Sequence, residues 1–132
     1  RETVVATLPG PVTGLAWSAG LLAAAVPVDG AVALVDTATG QVVRRLDVPG
    51  WSNGDQQEAY LAVLASGMLA ATAPSTGEVW HVDPTGQTPA RLLRDGLPGV
   101  TAVALMPDGS LVASQTWENH LVTIPLDEAV RQ

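Results

Sequence analysis

The stretch Gly20-Leu21-Leu22-Ala23-Ala24-Ala25-Val26-Pro27-Val28-Asp29-Gly30-Ala31-Val32-Ala33-Leu34-Val35-Asp36 holds two apolar runs parted by a turn. It returns without a gap 47 residues further on, from Gly67 to Asp83. A third copy opens at Gly109, another 42 residues on. Working outward, each copy is preceded by an apolar run: Leu15-Ala16-Trp17, Leu61-Ala62-Val63 and Val103-Ala104-Leu105. Before each of these stands the same linker, as Leu8-Pro9-Gly10, Val48-Pro49-Gly50 and Leu97-Pro98-Gly99.

A repeat of about 40 to 47 residues with four short strand-like runs is the pattern of a β-propeller blade. The predicted fold class is therefore all-β, with three blades of four antiparallel strands, A to D from the axis outward. The first unit gives A over residues 12–17, B over 21–26, C over 31–36 and D over 41–48. The second gives A over 59–64, B over 68–73, C over 78–83 and D over 89–94. The third gives A over 101–106, B over 110–116 and C over 120–124. Turn residues stand at the joints: Ala19-Gly20, Asp29-Gly30, Thr39-Gly40, Ser66-Gly67 and Pro107-Asp108-Gly109. The B runs, Ala23-Ala24-Ala25 and Ala70-Ala71-Thr72-Ala73, are small and apolar, as strands buried on both faces near a crowded axis require. A helix over 21–26 is excluded by length, since Gly20 and Pro27 bound it.

The strand phase is offset. Thr3-Val4-Val5-Ala6-Thr7 reads as a D strand without a blade of its own, and the third unit ends after C. The chain then divides into an adjoining D strand at 1–11, blade 1 at 12–50, blade 2 at 51–99 and a blade 3 without its D strand at 100–132. Propellers need four to eight blades to close. Two copies would make six, each N-terminal strand completing the other's third blade. Otherwise the missing blades belong to a longer parent, and a chain opening on Arg1 is expected to be a piece of such a product.

Composition narrows the partners. Six arginines, no lysine and a net charge of −7 disfavour a nucleic-acid backbone or an anionic membrane surface. Cysteine is absent, which excludes disulfides and thiolate metal sites. No apolar stretch approaches transmembrane length, so direct membrane insertion is not expected. The excess of Ala and Val over Lys and Phe is the signature of a GC-rich, bacterial genome.

With A and C running one way and B and D the other, the D–A linkers and B–C turns share one face of the ring. The longest connection lies there, carrying Trp51, Asn53, Asp55, Gln57 and Glu58. Trp117, Glu118 and Asn119 lie at a B–C turn of the same face. An aromatic ring with amides and carboxylates suits a carbohydrate or peptide ligand, by stacking plus hydrogen bonds. The competing reading is an ordinary loop whose tryptophan packs over the blade. His81 falls within a C strand and Trp80 beside it is expected to pack between blades. No phosphate loop and no Gly-x-Ser-x-Gly motif is present, so no catalytic residue is nominated.

Val100-Thr101-Ala102-Val103-Ala104-Leu105-Met106-Pro107-Asp108-Gly109-Ser110-Leu111-Val112-Ala113-Ser114 resembles the opening of an NHL-type blade, and Glu118-Asn119-His120-Leu121-Val122 resembles that family's Asn-His-Arg-Ile-Gln stretch. The first two units keep the spacing but show Gly30-Ala31 and Gly77-Glu78 in place of Asn-His, and Leu121 replaces the Arg. The resemblance implies a non-enzymatic binding or scaffolding module without a cofactor, and a structural role for His120. The related gluconolactonase-like propellers imply an alternative, a metal-dependent hydrolase of a lactone or ester. There Ca²⁺ or Mg²⁺ would sit at the axis on Glu58, Asn119 and Asp55. A third alternative is an NHL-like appendage of a bacterial membrane glycosyltransferase-like protein, which implies an extracytoplasmic or periplasmic location; a cytoplasmic one stays open.

Overall fold

The computed structural model describes residues 3–51 and 59–126. Eleven strands fill three antiparallel sheets among these residues. Blade 1 runs β1 (Gly14–Ser18), β2 (Leu21–Val26), β3 (Ala31–Asp36) and β4 (Gln41–Asp47), hydrogen-bonded in that order. Blade 2 repeats the meander with β5 (Leu61–Val63), β6 (Leu69–Ala73), β7 (Glu78–Val82) and β8 (Arg91–Arg94). Blade 3 has β9 (Val100–Leu105), β10 (Leu111–Gln115) and β11 (His120–Ile124). The B and C strands of blade 1 and the C strand of blade 3 match the expected limits. The A and D strands of blade 2 are shorter than expected, confined to Leu61–Val63 and Arg91–Arg94. Among the described residues no helix is long and apolar enough to cross a membrane.

The blades stack face to face through two apolar cores. Between blades 1 and 2 lie Ala23, Ala25, Val32, Leu34, Leu46, Leu69, Ala71, Ala73 and Val82. Between blades 2 and 3 lie Ala70, Val79, Leu97, Val100, Leu111, Ala113 and Ile124. The period-2 alternation of each strand sorts these sets, so Ala71 serves the first core and Ala70 the second. The small residues of β2 and β6 are fully buried, which fits the close approach of inner strands near the axis. Trp80 packs against the first core, as expected.

Residues 3–7 depart from the expected D strand: they form no strand. A D strand needs the free edge of a C strand, and in blade 1 that edge is already paired with β4. The segment lies instead across the outward face of blade 1, where Val4, Val5, Ala6 and Leu8 line a cavity with Leu15, Leu22, Ala24 and Val35. Among the described residues the stack thus ends in two faces without a neighbouring blade, and residues 4–8 cover part of one.

Candidate ligand face

The D–A linkers and B–C turns meet on one side of the stack, as the strand directions require. The B–C turn of blade 1 is a 3-10 turn at Pro27–Asp29 closed by Gly30 at φ 71°. That of blade 3 is a 3-10 turn at Thr116–Glu118 closed by Asn119 at φ 56°. Gly77 holds the same place in blade 2 at φ 73°. All three adopt the left-handed conformation, which glycine tolerates freely and asparagine better than other side chains do. Asn119 therefore has a backbone reason to be where it is, whatever else it does.

Linkers and turns are laced by main-chain bonds. Val48 N–H donates to the Gly30 carbonyl at 3.0 Å, and Leu97 N–H to the Gly77 carbonyl at 2.9 Å. In blade 3 Thr116 N–H donates to the Gly99 carbonyl at 3.0 Å, and Gln115 Nε2 to the Pro98 carbonyl at 3.1 Å. Trp117 stands over this linker: a Cβ added at Gly99 would lie 2.8 Å from Trp117 Cδ2. The ring is nonetheless 62% exposed, with Glu118 and Asn119 exposed beside it. His120 follows, also exposed, opposite Gln115 in the ladder. At the blade 1 turn, Asp29 is engaged by Arg45 Nε at 3.1 Å.

Trp51 corrects the sequence reading. Its side chain is 0% exposed and belongs to the core between blades 1 and 2. Nε1 donates to the Thr72 carbonyl at 2.9 Å. A fully desolvated indole, with its donor already paired, is an anchor for the linker and offers no face to a ligand. Asn53, Asp55, Gln57 and Glu58 lie outside the described residues. The nominated set thus divides: Trp117, Glu118 and Asn119 stand together at the surface, and Trp51 is buried away from it. Of the axial metal set, only Asn119 is described. Among the described residues no three His, Cys, Asp or Glu side chains are gathered as metal ligands would be.

A separate groove of about 410 Å³ runs between blades 1 and 2, lined by Arg45, Asp47, Asp83, Gln87 and Thr88 among others; no nominated residue lines it. Asp83 there is buried, with each carboxylate oxygen accepting two bonds. Thr85 N–H and Oγ1 reach Oδ1 at 2.9 and 2.7 Å. Thr88 N–H and Oγ1 reach Oδ2 at 3.2 and 3.0 Å. Burial pushes this carboxyl up, but the four bonds outweigh it and hold it below the ordinary carboxylate value. Such saturation marks a structural turn.

Sequence reasoning missed the hydroxyls that tie the blades together. Thr13 Oγ1 of blade 1 donates to the Ala59 carbonyl of blade 2 at 2.6 Å. Thr72 Oγ1 of blade 2 donates to the Thr101 carbonyl of blade 3 at 2.7 Å and accepts from Tyr60 N–H at 2.9 Å. Thr101 Oγ1 in turn bonds the hydroxyls of Ser114 and Thr116 at 2.9 and 2.8 Å. The signal was a polar residue inside the otherwise apolar run Ala70-Ala71-Thr72-Ala73.

The arrangement matches solved propellers. The chain superposes on virginiamycin B lyase from Staphylococcus aureus, crystallised with quinupristin as an inactive H270A variant, with a TM-score of 0.68 and 16% identity. The match covers 93% of this chain and 45% of the lyase. The WD40 propeller domain of Doa1 matches with a TM-score of 0.64 and 16% identity, over 84% of this chain and 35% of that one. Glutaminyl cyclase from Myxococcus xanthus matches with a TM-score of 0.64 and 16% identity, over 92% and 58%. The fold is that of β-propeller blades. The chain spans about half the length of these proteins or less, apart from the cyclase, where it spans 58%. At such identities the likeness concerns the fold and carries no activity with it. No protein-family model and no curated protein matches the chain.

Proposed function

We propose that the chain is a non-enzymatic binding or scaffolding module, three blades of a propeller ring that a second copy or a longer parent chain completes. The observation that carries this reading is Trp117, 62% exposed on the face of linkers and turns, with Glu118 and Asn119 exposed beside it. An exposed ring with flanking carboxylate and amide suits a carbohydrate by stacking and hydrogen bonding, or a peptide by the same groups. The NHL-like sequence of blade 3 supports the same reading. The test is a fluorescence titration with oligosaccharide and peptide panels on wild type and Trp117→Ala. Saturable binding lost in the variant supports the module; a panel without saturable binding counts against it.

A second reading follows the gluconolactonase-like resemblance of the repeat. Here the chain contributes to a metal-dependent hydrolase of a lactone or ester, with Glu58, Asp55 and Asn119 as the ligands. Calcium would raise the melting temperature, and Glu58→Gln would abolish both that shift and hydrolysis. Attachment to an envelope glycosyltransferase-like parent would place the module outside the cytoplasm. Transmembrane segments encoded upstream of Arg1 would support that placement.

A further inference from the structure

The repeat itself specifies what its open ends bind. In blade 1 the C strand β3 is edged by β4, and in blade 2 β7 is edged by β8. In blade 3 β11 is the outermost strand of the described sheet. The Gly30 and Gly77 carbonyls accept from Val48 and Leu97, the residues that open the Pro-Gly linkers. Asn119 holds the Gly30 and Gly77 place in blade 3, in the same left-handed conformation. The remaining residue that opens a Pro-Gly linker is Leu8, and the segment before it lies unpaired over blade 1. Among the described residues blade 2 stands between that segment and β11.

The blade faces repeat the same logic. Thr13 Oγ1 and Thr72 Oγ1 donate to the Ala59 and Thr101 carbonyls, which are equivalent positions counted from Gly67 and Gly109. The equivalent acceptor on blade 1 is Val12, counted from Gly20, and Ser114 is blade 3's counterpart of Thr72. The outward face of blade 1 presents Leu15 at 61% and Trp17 at 57% exposure. The outward face of blade 3 presents small residues, Ala102, Ala104 and Ser114, with Leu121 at 79% exposure. Bulky residues on one side and small ones on the other are what interdigitating layers need.

We propose that the partner is a second copy of this chain: residues 3–7 of each copy pair with β11 of the other, and blade 3 of each packs on blade 1 of the other, closing a two-fold ring of six blades. This names the partner within the module reading above and rests on it. The β3–β4 register, with Val32 opposite Leu46, Ala33 opposite Arg45 and Leu34 opposite Arg44, transfers directly. It sets Ala6 opposite Leu121, Val5 opposite Val122 and Val4 opposite Thr123. Residues 3–8 leave the blade 1 face as the partner's blade 3 takes their place. Six blades fall within the range that closes, and a two-fold ring leaves no face open.

The native chain lacks cysteine, so single-cysteine variants report pairing without background. Val4→Cys and Thr123→Cys, both at exposed positions, are mixed, oxidised and run on a non-reducing gel, while wild type is weighed by light scattering. The expected result is a wild-type mass of about 27 kDa, twice the 13.5 kDa of one chain, and a cross-link in the mixture far exceeding that of either variant alone. A 13.5 kDa species overturns the proposal, and so does a dimer whose mixture gives no excess cross-link. Ligand titration of the same samples separates the two readings. A monomer that still binds through Trp117 sinks the exchange alone, and an exchanged dimer that binds nothing sinks the module reading alone.

Discussion

Thr72 Oγ1 donates to the carbonyl of Thr101 across 2.7 Å, so a buried hydroxyl on the second strand of blade 2 holds the first strand of blade 3. The same oxygen accepts from Tyr60 N–H at 2.9 Å. Thr72 therefore satisfies two main-chain groups in a region without room for solvent. Thr72→Val keeps the shape and strands both partners. It should cost about 1–3 kcal/mol, the penalty of unsatisfied buried polar groups. Thr72→Ser, which keeps the hydroxyl, should recover most of that in urea denaturation; equal losses would show that the methyl matters and the bond does not.

Trp51 makes a parallel case between blades 1 and 2. Trp51→Phe keeps an apolar ring but removes the donor to the Thr72 carbonyl, and should cost about 1–3 kcal/mol. Trp51→Ala also opens a cavity and should cost about 3–5 kcal/mol. Ligand affinity per folded molecule should be unchanged in Trp51→Phe and lost in Trp117→Ala. A Trp51→Phe protein of normal stability that no longer binds would reverse their roles.

Asn119 at φ 56° stands where Gly30 and Gly77 stand in the other blades. Asn119→Gly should leave the melting temperature unchanged or raise it slightly. Asn119→Val should lower stability by about 1–2 kcal/mol, since a branched side chain tolerates that conformation poorly. If the amide also contacts ligand, Asn119→Gly weakens binding while the fold stays intact. Thermal melts and titrations on the same two variants separate the backbone role from the side-chain role.

Asp83 predicts an acid limb of stability. Its folded-state carboxyl lies below the ordinary value of 3.8 that applies in the unfolded chain. The unfolded state therefore binds the proton first, and stability from this group is fully present above about pH 4 to 5. It is lost as pH falls through the folded-state value. Asp83→Asn should be less stable at pH 7 and should show a shallower fall in stability below pH 4. An unchanged acid limb in the variant would assign that loss to other carboxylates.

Much of the fold was written locally. Leu21–Val26, Ala31–Asp36 and His120–Ile124 were legible because each apolar run is short and bounded by turn residues. Periodicity at one-blade spacing then fixed the number of sheets, since no single blade can bury its own faces. Residues 3–7 show the limit of that logic. The segment Thr3-Val4-Val5-Ala6-Thr7 has strand composition, yet a strand exists only where another strand offers an edge. Among the described residues β11 is the outermost strand of its sheet, and blade 2 stands between it and residues 3–7.

The candidate site was legible only in part, and for the same reason. Trp51 and Trp117 look alike in sequence, each close to a loop with amides and carboxylates. Their fates differ because Trp51 is enclosed in the core between blades 1 and 2 and bonded to the Thr72 carbonyl, whereas Trp117 stands over Gly99 at the end of the stack with its ring exposed. By itself the sequence determined the repeat, the strands and the face on which turns and linkers gather, all of which follow from short-range pattern and turn chemistry. The tertiary structure decided which tryptophan is core and which is surface, and which hydroxyls join the blades. Burial and pairing depend on what long-range packing brings alongside, and no local stretch encodes that.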